Sequence, residues 1–127
     1  MTSKARQQRV ESELQRVVAE LVAREVKDPR VGMVTITAVQ VASDMGSARV
    51  MFVPFGDRHS AEEVGEGLRR AAGFLRGEVG RRLGLRHAPR LDSEYDESIE
   101  RADRLTRLID HAVRNDQDDP GSGGPSR

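Results

Sequence analysis

Val10, Leu14, Val17, Val18 and Leu21 recur at i, i+4, i+7, i+8 and i+11, the period of a helix with one apolar face. The spacing predicts a helix over about Ser3 to Val26, with Arg6, Arg9, Glu13, Arg16, Glu20 and Arg24 mostly off the stripe. Asp28-Pro29 ends it, because a residue before proline disfavours the α region. Val34 to Val41 is then rich in Val, Ile and Thr, which favour strands, and Ala48 to Phe55 reads as a second strand. The turn cluster Ser43 to Ser47 joins them into a β-hairpin, whose alternation is too irregular to assign a buried face.

Helical spacing returns after Ser60, which with Glu63 forms a capping-box pattern: a hydroxyl for an orphan amide and a carboxylate reaching back. Val64, Leu68, Ala71, Ala72, Leu75, Val79 and Leu83 stay in phase to about Gly84. That stripe crosses Gly73, Gly77 and Gly80, each costing roughly 1 kcal/mol against alanine inside a helix. It fits one kinked helix or two helices at an angle. A short third strand is predicted over Arg90-Leu91-Asp92-Ser93-Glu94-Tyr95-Asp96, anchored by Leu91 with Tyr95 in the same parity. Ile99, Ala102, Leu105, Leu108, Ile109 and Ala112 then mark a last helix, capped by Asp96 or Ser98. Residues 115–127 hold no apolar side chain and are predicted to form a disordered acidic and Gly-Ser-Pro tail after a domain of residues 1–114. Mixed elements around one small core imply a two-layered α+β domain.

The charge is unevenly distributed. Lys and Arg total 21, as do Asp and Glu, so the net charge is zero. Yet residues 69–90 hold Arg69, Arg70, Arg76, Arg81, Arg82, Arg86 and Arg90 against Glu78 alone. Local potential governs an anionic partner more than the total does, and a guanidinium fork grips phosphate in two places. With acids scarce nearby, a merely solvated face, which usually mixes signs for i,i+4 pairs, fits less well. The runner-up is a protein-docking module whose basic segment meets an acidic partner or the acidic tail.

Composition removes other classes. No cysteine is present, excluding disulfides and thiolate metal sites. One Tyr, three Phe and no Trp argue against base stacking as a major binding mode. No apolar run approaches a membrane span, and Met1 to Arg9 lacks a signal-peptide core, so a soluble cytoplasmic protein is expected. Asp92, Glu94, Asp96 and Glu97 could suggest a metal or acid/base site, but without a nearby histidine a solvated acidic edge is the plainer reading. His59, His87 and His111 are too dispersed for a zinc pattern. No phosphate loop, dinucleotide fingerprint or nucleophile-base pattern is recognisable, so neither enzyme nor cofactor is expected.

The chain resembles the bacterial ribosome-binding factor A family over about Ala5 to Val113. The resemblance is carried by "KDPRVGMVTIT", the Asp44…Ala48-x-Val50 spacing, "LRRAAGFLRGEVGRRLGLRHAPRL" and "YDESIERADRLTRLI", in that order. Ser93 stands where the family commonly has an aromatic. The resemblance implies a type II KH-like domain ordered helix-strand-strand-helix-kink-helix-strand, followed by a C-terminal helix. In that family an Ala-x-Gly kink replaces the GxxG loop of KH domains; here it would be Ala71-Ala72-Gly73. It further implies a monomeric, non-enzymatic assembly factor for the small (30S) ribosomal subunit. Such a factor contacts 16S rRNA and supports late rRNA processing and growth in the cold. The seven arginines are the expected RNA contacts.

Overall fold

In the computed structural model, which describes residues 4–31, 34–56 and 58–118, the first apolar stripe forms helix α1, Lys4–Arg24. Its face is wider than the spacing suggests, because Val22 is buried beside Leu14, Val17, Val18 and Leu21. The hairpin follows as β1, Val34–Val41, and β2, Ser47–Pro54, paired antiparallel. Helix α2, Ala61–Leu83, leads to β3, Arg90–Tyr95, which lies parallel to β2. The sheet order is β1-β2-β3. These elements belong to one compact unit, Met1–Asp96; helix α3, Ser98–Asp118, belongs to a second, Glu97–Arg127.

The irregular hairpin alternation has a local cause. The register shifts between Ile36 and Ala38, so Thr37 is an inserted residue and parity changes across it. Ile36 and Val39 are thereby both buried, although an odd spacing separates them. The Thr37 hydroxyl donates to Asp96 Oδ2 at 2.5 Å, and Asp96 N donates to Phe52 O at 2.8 Å. Asp96 is thus buried past the end of β3, rather than exposed on one face with Asp92 and Glu94 as its spacing suggests.

β2 supplies Ala48, Val50 and Phe52 to the core, and β3 supplies Leu91. α1 and α2 cover that face of the sheet, so the unit has two layers. Tyr95 meets Phe52 edge to face, ring centroids 6.2 Å apart. Three side chains of α1, one turn apart, reach the backbone of the edge strand β1. Gln7 Nε2 donates to Val41 O at 2.6 Å, Glu11 Oε2 accepts from Val41 N at 2.8 Å, and Gln15 Nε2 donates to Ile36 O at 3.2 Å.

The capping box at Ser60 and Glu63 starts α2 as its residue types predict, with both reciprocal bonds present. The helix runs without a break to Leu83, so Ala71-Ala72-Gly73, where a kink is expected, lies within one helix rather than between two. Val64, Leu68, Leu75 and Val79 are buried on both sides of Gly73, which holds the axis on one core. Nothing lies within 4 Å of a Cβ built on Gly73, so the backbone there approaches no neighbour. The close approach is at Gly67 instead, where an added Cβ would meet Val31 Cγ2 at 2.6 Å. Gly84, at φ 63°, ends the helix, and Leu85 N donates to Gly80 O at 2.9 Å.

α3 continues to Asp118, past the tail boundary read at residue 115. Once nucleated, a helix adds residues by backbone bonds alone, without burial. The rest of the predicted tail, 119–127, lies outside the described residues.

Candidate nucleic-acid interface

At about 100° per residue, Gly73, Gly77 and Gly80 share the side of α2 turned away from Leu68, Leu75 and Val79. Arg69 and Arg76 run along one border of this strip, and Arg70 and Arg81 along the other. Gly73 and Gly77 are exposed and have nothing within 4 Å of a built Cβ. The glycines floor a groove of about 600 Å³ whose walls include Arg76, Arg81 and Arg86. Beyond the C-cap the chain returns alongside the helix: a Cβ on Gly80 would lie 3.3 Å from Ala88 Cβ. Arg76 Nε donates to Ala88 O at 3.0 Å, which ties the returning loop to the helix.

The seven arginines are not equivalent. Arg82 turns toward α1, pairing with Glu25 and lying 3.8 Å from Glu20. Arg90, on β3, pairs with Asp92 at 3.1 Å, which holds its guanidinium above its usual range. Arg69 pairs with Glu66 at 2.6 Å, and Arg70 shares the same carboxylate at 3.5 Å. The Arg69 hydrogen bond, with the charges of Arg69 and Arg70 behind it, lowers the Glu66 pKa. Arg81 pairs with Glu78, and Arg86 has no ion-pair partner among the described residues. The acids that temper the patch therefore come largely from outside residues 69–90: Glu66 and Asp92 by local spacing, Glu25 and Glu20 through Arg82 contacts that no local spacing reveals.

The other sequence candidates do not converge. Asp92 and Glu94 are exposed on β3, and Glu94 pairs with Arg49 at 3.0 Å. His59 precedes α2, His87 follows it, and His111 is on α3. Among the described residues, no group of three or more His, Asp or Glu side chains is placed to hold a metal ion. No helix among them is long and apolar enough to cross a membrane.

The order α-β-β-α-β, with a parallel third strand and an arginine-bordered second helix, defines a KH-like α+β domain. Residues 6–109 match the family model of Ribosome-binding factor A. A ribosome-binding factor A of Azoarcus sp. (strain BH72) is 48% identical over 113 residues, 89% of this chain and 90% of that one. The crystal structure of ribosome-binding factor A from Thermus thermophilus superposes with a TM-score of 0.62 at 28% identity. That match covers 70% of this chain and 94% of the Thermus chain. A homology model of the Thermus thermophilus factor, fitted into a cryo-EM map of a 30S complex, superposes at a TM-score of 0.59 with 28% identity over 70% of this chain and 93% of that one. The chain belongs to the ribosome-binding factor A family.

Proposed function

We propose that this protein binds the free or immature 30S subunit and assists its assembly, with the glycine-floored groove of α2 laid against the 16S rRNA backbone. The observation that carries the reading is the arrangement of Arg69 and Arg76 on one border, Arg70 and Arg81 on the other, and bare glycines between them. Side chains at Gly73 and Gly77 would fill the floor and hold a phosphate chain away from the helix. Arginines on two borders give a polyanion contacts on both sides, and such contacts fix position while the folded RNA supplies specificity through shape. Arg86 extends the groove, while Arg82, turned toward Glu25, and Arg90, on β3, lie off its borders and add to the local charge.

In this reading the protein is a cytoplasmic monomer that acts by binding, without a cofactor or catalysis, and supports late 16S rRNA processing and growth in the cold. Family membership and the 30S complex of the Thermus relative support its small-subunit binding. Ala71 packs toward the core, on the side of α2 away from Gly73, so the RNA meets only the outer, glycine-floored face of the helix. The test is co-sedimentation of the full chain with free 30S subunits at low salt and across a salt series. Association that weakens linearly in log–log form is expected. No association at low salt would sink the reading.

A further inference from the structure

A second concave feature lies beside the N-terminal end of α2, a cleft of about 390 Å³ between the end of β2 and the Pro29 turn. Pro29, Pro54, Phe55 and Val64 give it apolar walls; Arg30 and Arg58 add guanidiniums. Phe55 is 57% exposed, whereas Phe52 is buried against Tyr95. Of the two exposed phenylalanines, Phe55 and Phe74, it is Phe55 that lies against this concavity. The Arg30 charge is committed to Asp28 at 2.6 Å, but Arg58 has no hydrogen-bond or ion-pair partner among the described residues.

We infer that this cleft is a subsite for a single unpaired nucleotide of RNA, its base stacked on Phe55 and its phosphate held by Arg58. The inference rests on the RNA-binding reading and extends it to a second site. A base offers a flat apolar face to the aromatic and proline walls, and the attached phosphate offers the charge that Arg58 lacks. An apolar peptide would leave the cation unused, and a free phosphate would leave the ring unused. The volume lies in the range of small-molecule sites, large enough for a base and its ribose. Val64 and Arg76 are twelve residues apart on α2, roughly 18 Å along its axis, and Val64 is on the core side of the helix, so the cleft is a site separate from the groove.

The full chain contains no tryptophan, so Phe55→Trp supplies a single fluorescent reporter at an exposed position. Quenching of that reporter by single-stranded oligoadenylate and by free 30S subunits is expected. Phe55→Ala should weaken 30S binding about 5- to 150-fold with an unchanged salt slope, the effect of losing one stacked base. Arg58→Ala should weaken binding and lower the slope by roughly one. Phe55→Leu keeps the apolar bulk but loses the planar face. Binding of Phe55→Leu at the wild-type level would assign the cleft to an apolar protein side chain and overturn the inference. Fluorescence of the Phe55→Trp variant left unquenched by oligoadenylate, or wild-type binding by both alanine variants, would also overturn it while leaving the groove reading standing. Failure of the wild-type chain to bind free 30S at all would remove both.

Discussion

A Cβ added to Gly67 of α2 would lie 2.6 Å from Cγ2 of Val31. Val31 is fully buried, so it has no room to retreat. Gly67→Ala should therefore destabilise the fold by about 1–3 kcal/mol, the usual cost of overpacking. Gly73→Ala, six residues along the same helix, adds its methyl to open space and should stabilise by about 0.4–1 kcal/mol. Urea unfolding of both variants checks the pair of opposite signs. Equal destabilisation by both would show that Gly73 sets the backbone after all.

Arg81 and Arg82 are adjacent in sequence but face different neighbours. Arg82→Ala removes the link to Glu25 and Glu20 across to α1 and should cost about 0.5–1 kcal/mol of stability. Arg81→Ala should leave the melting temperature unchanged and weaken 30S binding. Comparing the two by thermal melts and by sedimentation separates packing from RNA contact.

The joint variant Arg76→Ala, Arg81→Ala and Arg86→Ala tests the groove itself. Each phosphate contact contributes about 0.7–0.9 to the slope of log affinity against log salt. Loss of three contacts should lower that slope by roughly 2 to 3. A drop in affinity at unchanged slope would mean that these side chains act other than through phosphates.

Asp28 is held from its usual 3.8 down to about 2, chiefly by its side-chain hydrogen bond from Arg30 and then by the Arg30 amide. A carboxylate with a lowered folded pKa contributes stability above its unfolded pKa, and that contribution fades as pH falls through the folded value. Asp28→Asn should thus lower the urea midpoint at about pH 6 and lose its effect progressively between about pH 4 and pH 2. A deficit that persists undiminished at the acid end of that window would assign the loss to packing.

The hydroxyl of Thr37 and the buried carboxylate of Asp96 join the β1 bulge to the end of β3. Asp96→Ala should cost about 1–3 kcal/mol by leaving that hydroxyl unpaired. Adding Thr37→Val should recover part of the loss, a coupling visible in a double-mutant cycle. Strict additivity would show that the bond contributes nothing.

What could be read from the chain was whatever repeats locally. The α1 stripe, the Val34–Val41 strand, the Ser60–Glu63 cap and the basic run all depend on neighbours within a few residues. What escaped depends on contacts between distant residues. The Thr37 bulge changes strand parity through pairing with β2, and no property of Thr37 alone announces it. Gly67 looks like any helix glycine until Val31 is set against it. The Arg82–Glu25 pair joins α2 to the residue just past α1, so a count of acids within residues 69–90 overstates how bare the patch is. The glycines at 73 and 77 seemed to weaken the helix, but on its outer face they cost propensity while opening a floor between arginines.

Gln7, Glu11 and Gln15 have a consequence beyond the domain itself. An edge strand with open amides and carbonyls is a template on which a second chain can add its own strand. Here both backbone groups of Val41 and the carbonyl of Ile36 are already engaged by α1. Another copy meets an interrupted ladder along β1, so side chains that settle the helix also keep this edge from seeding polymers.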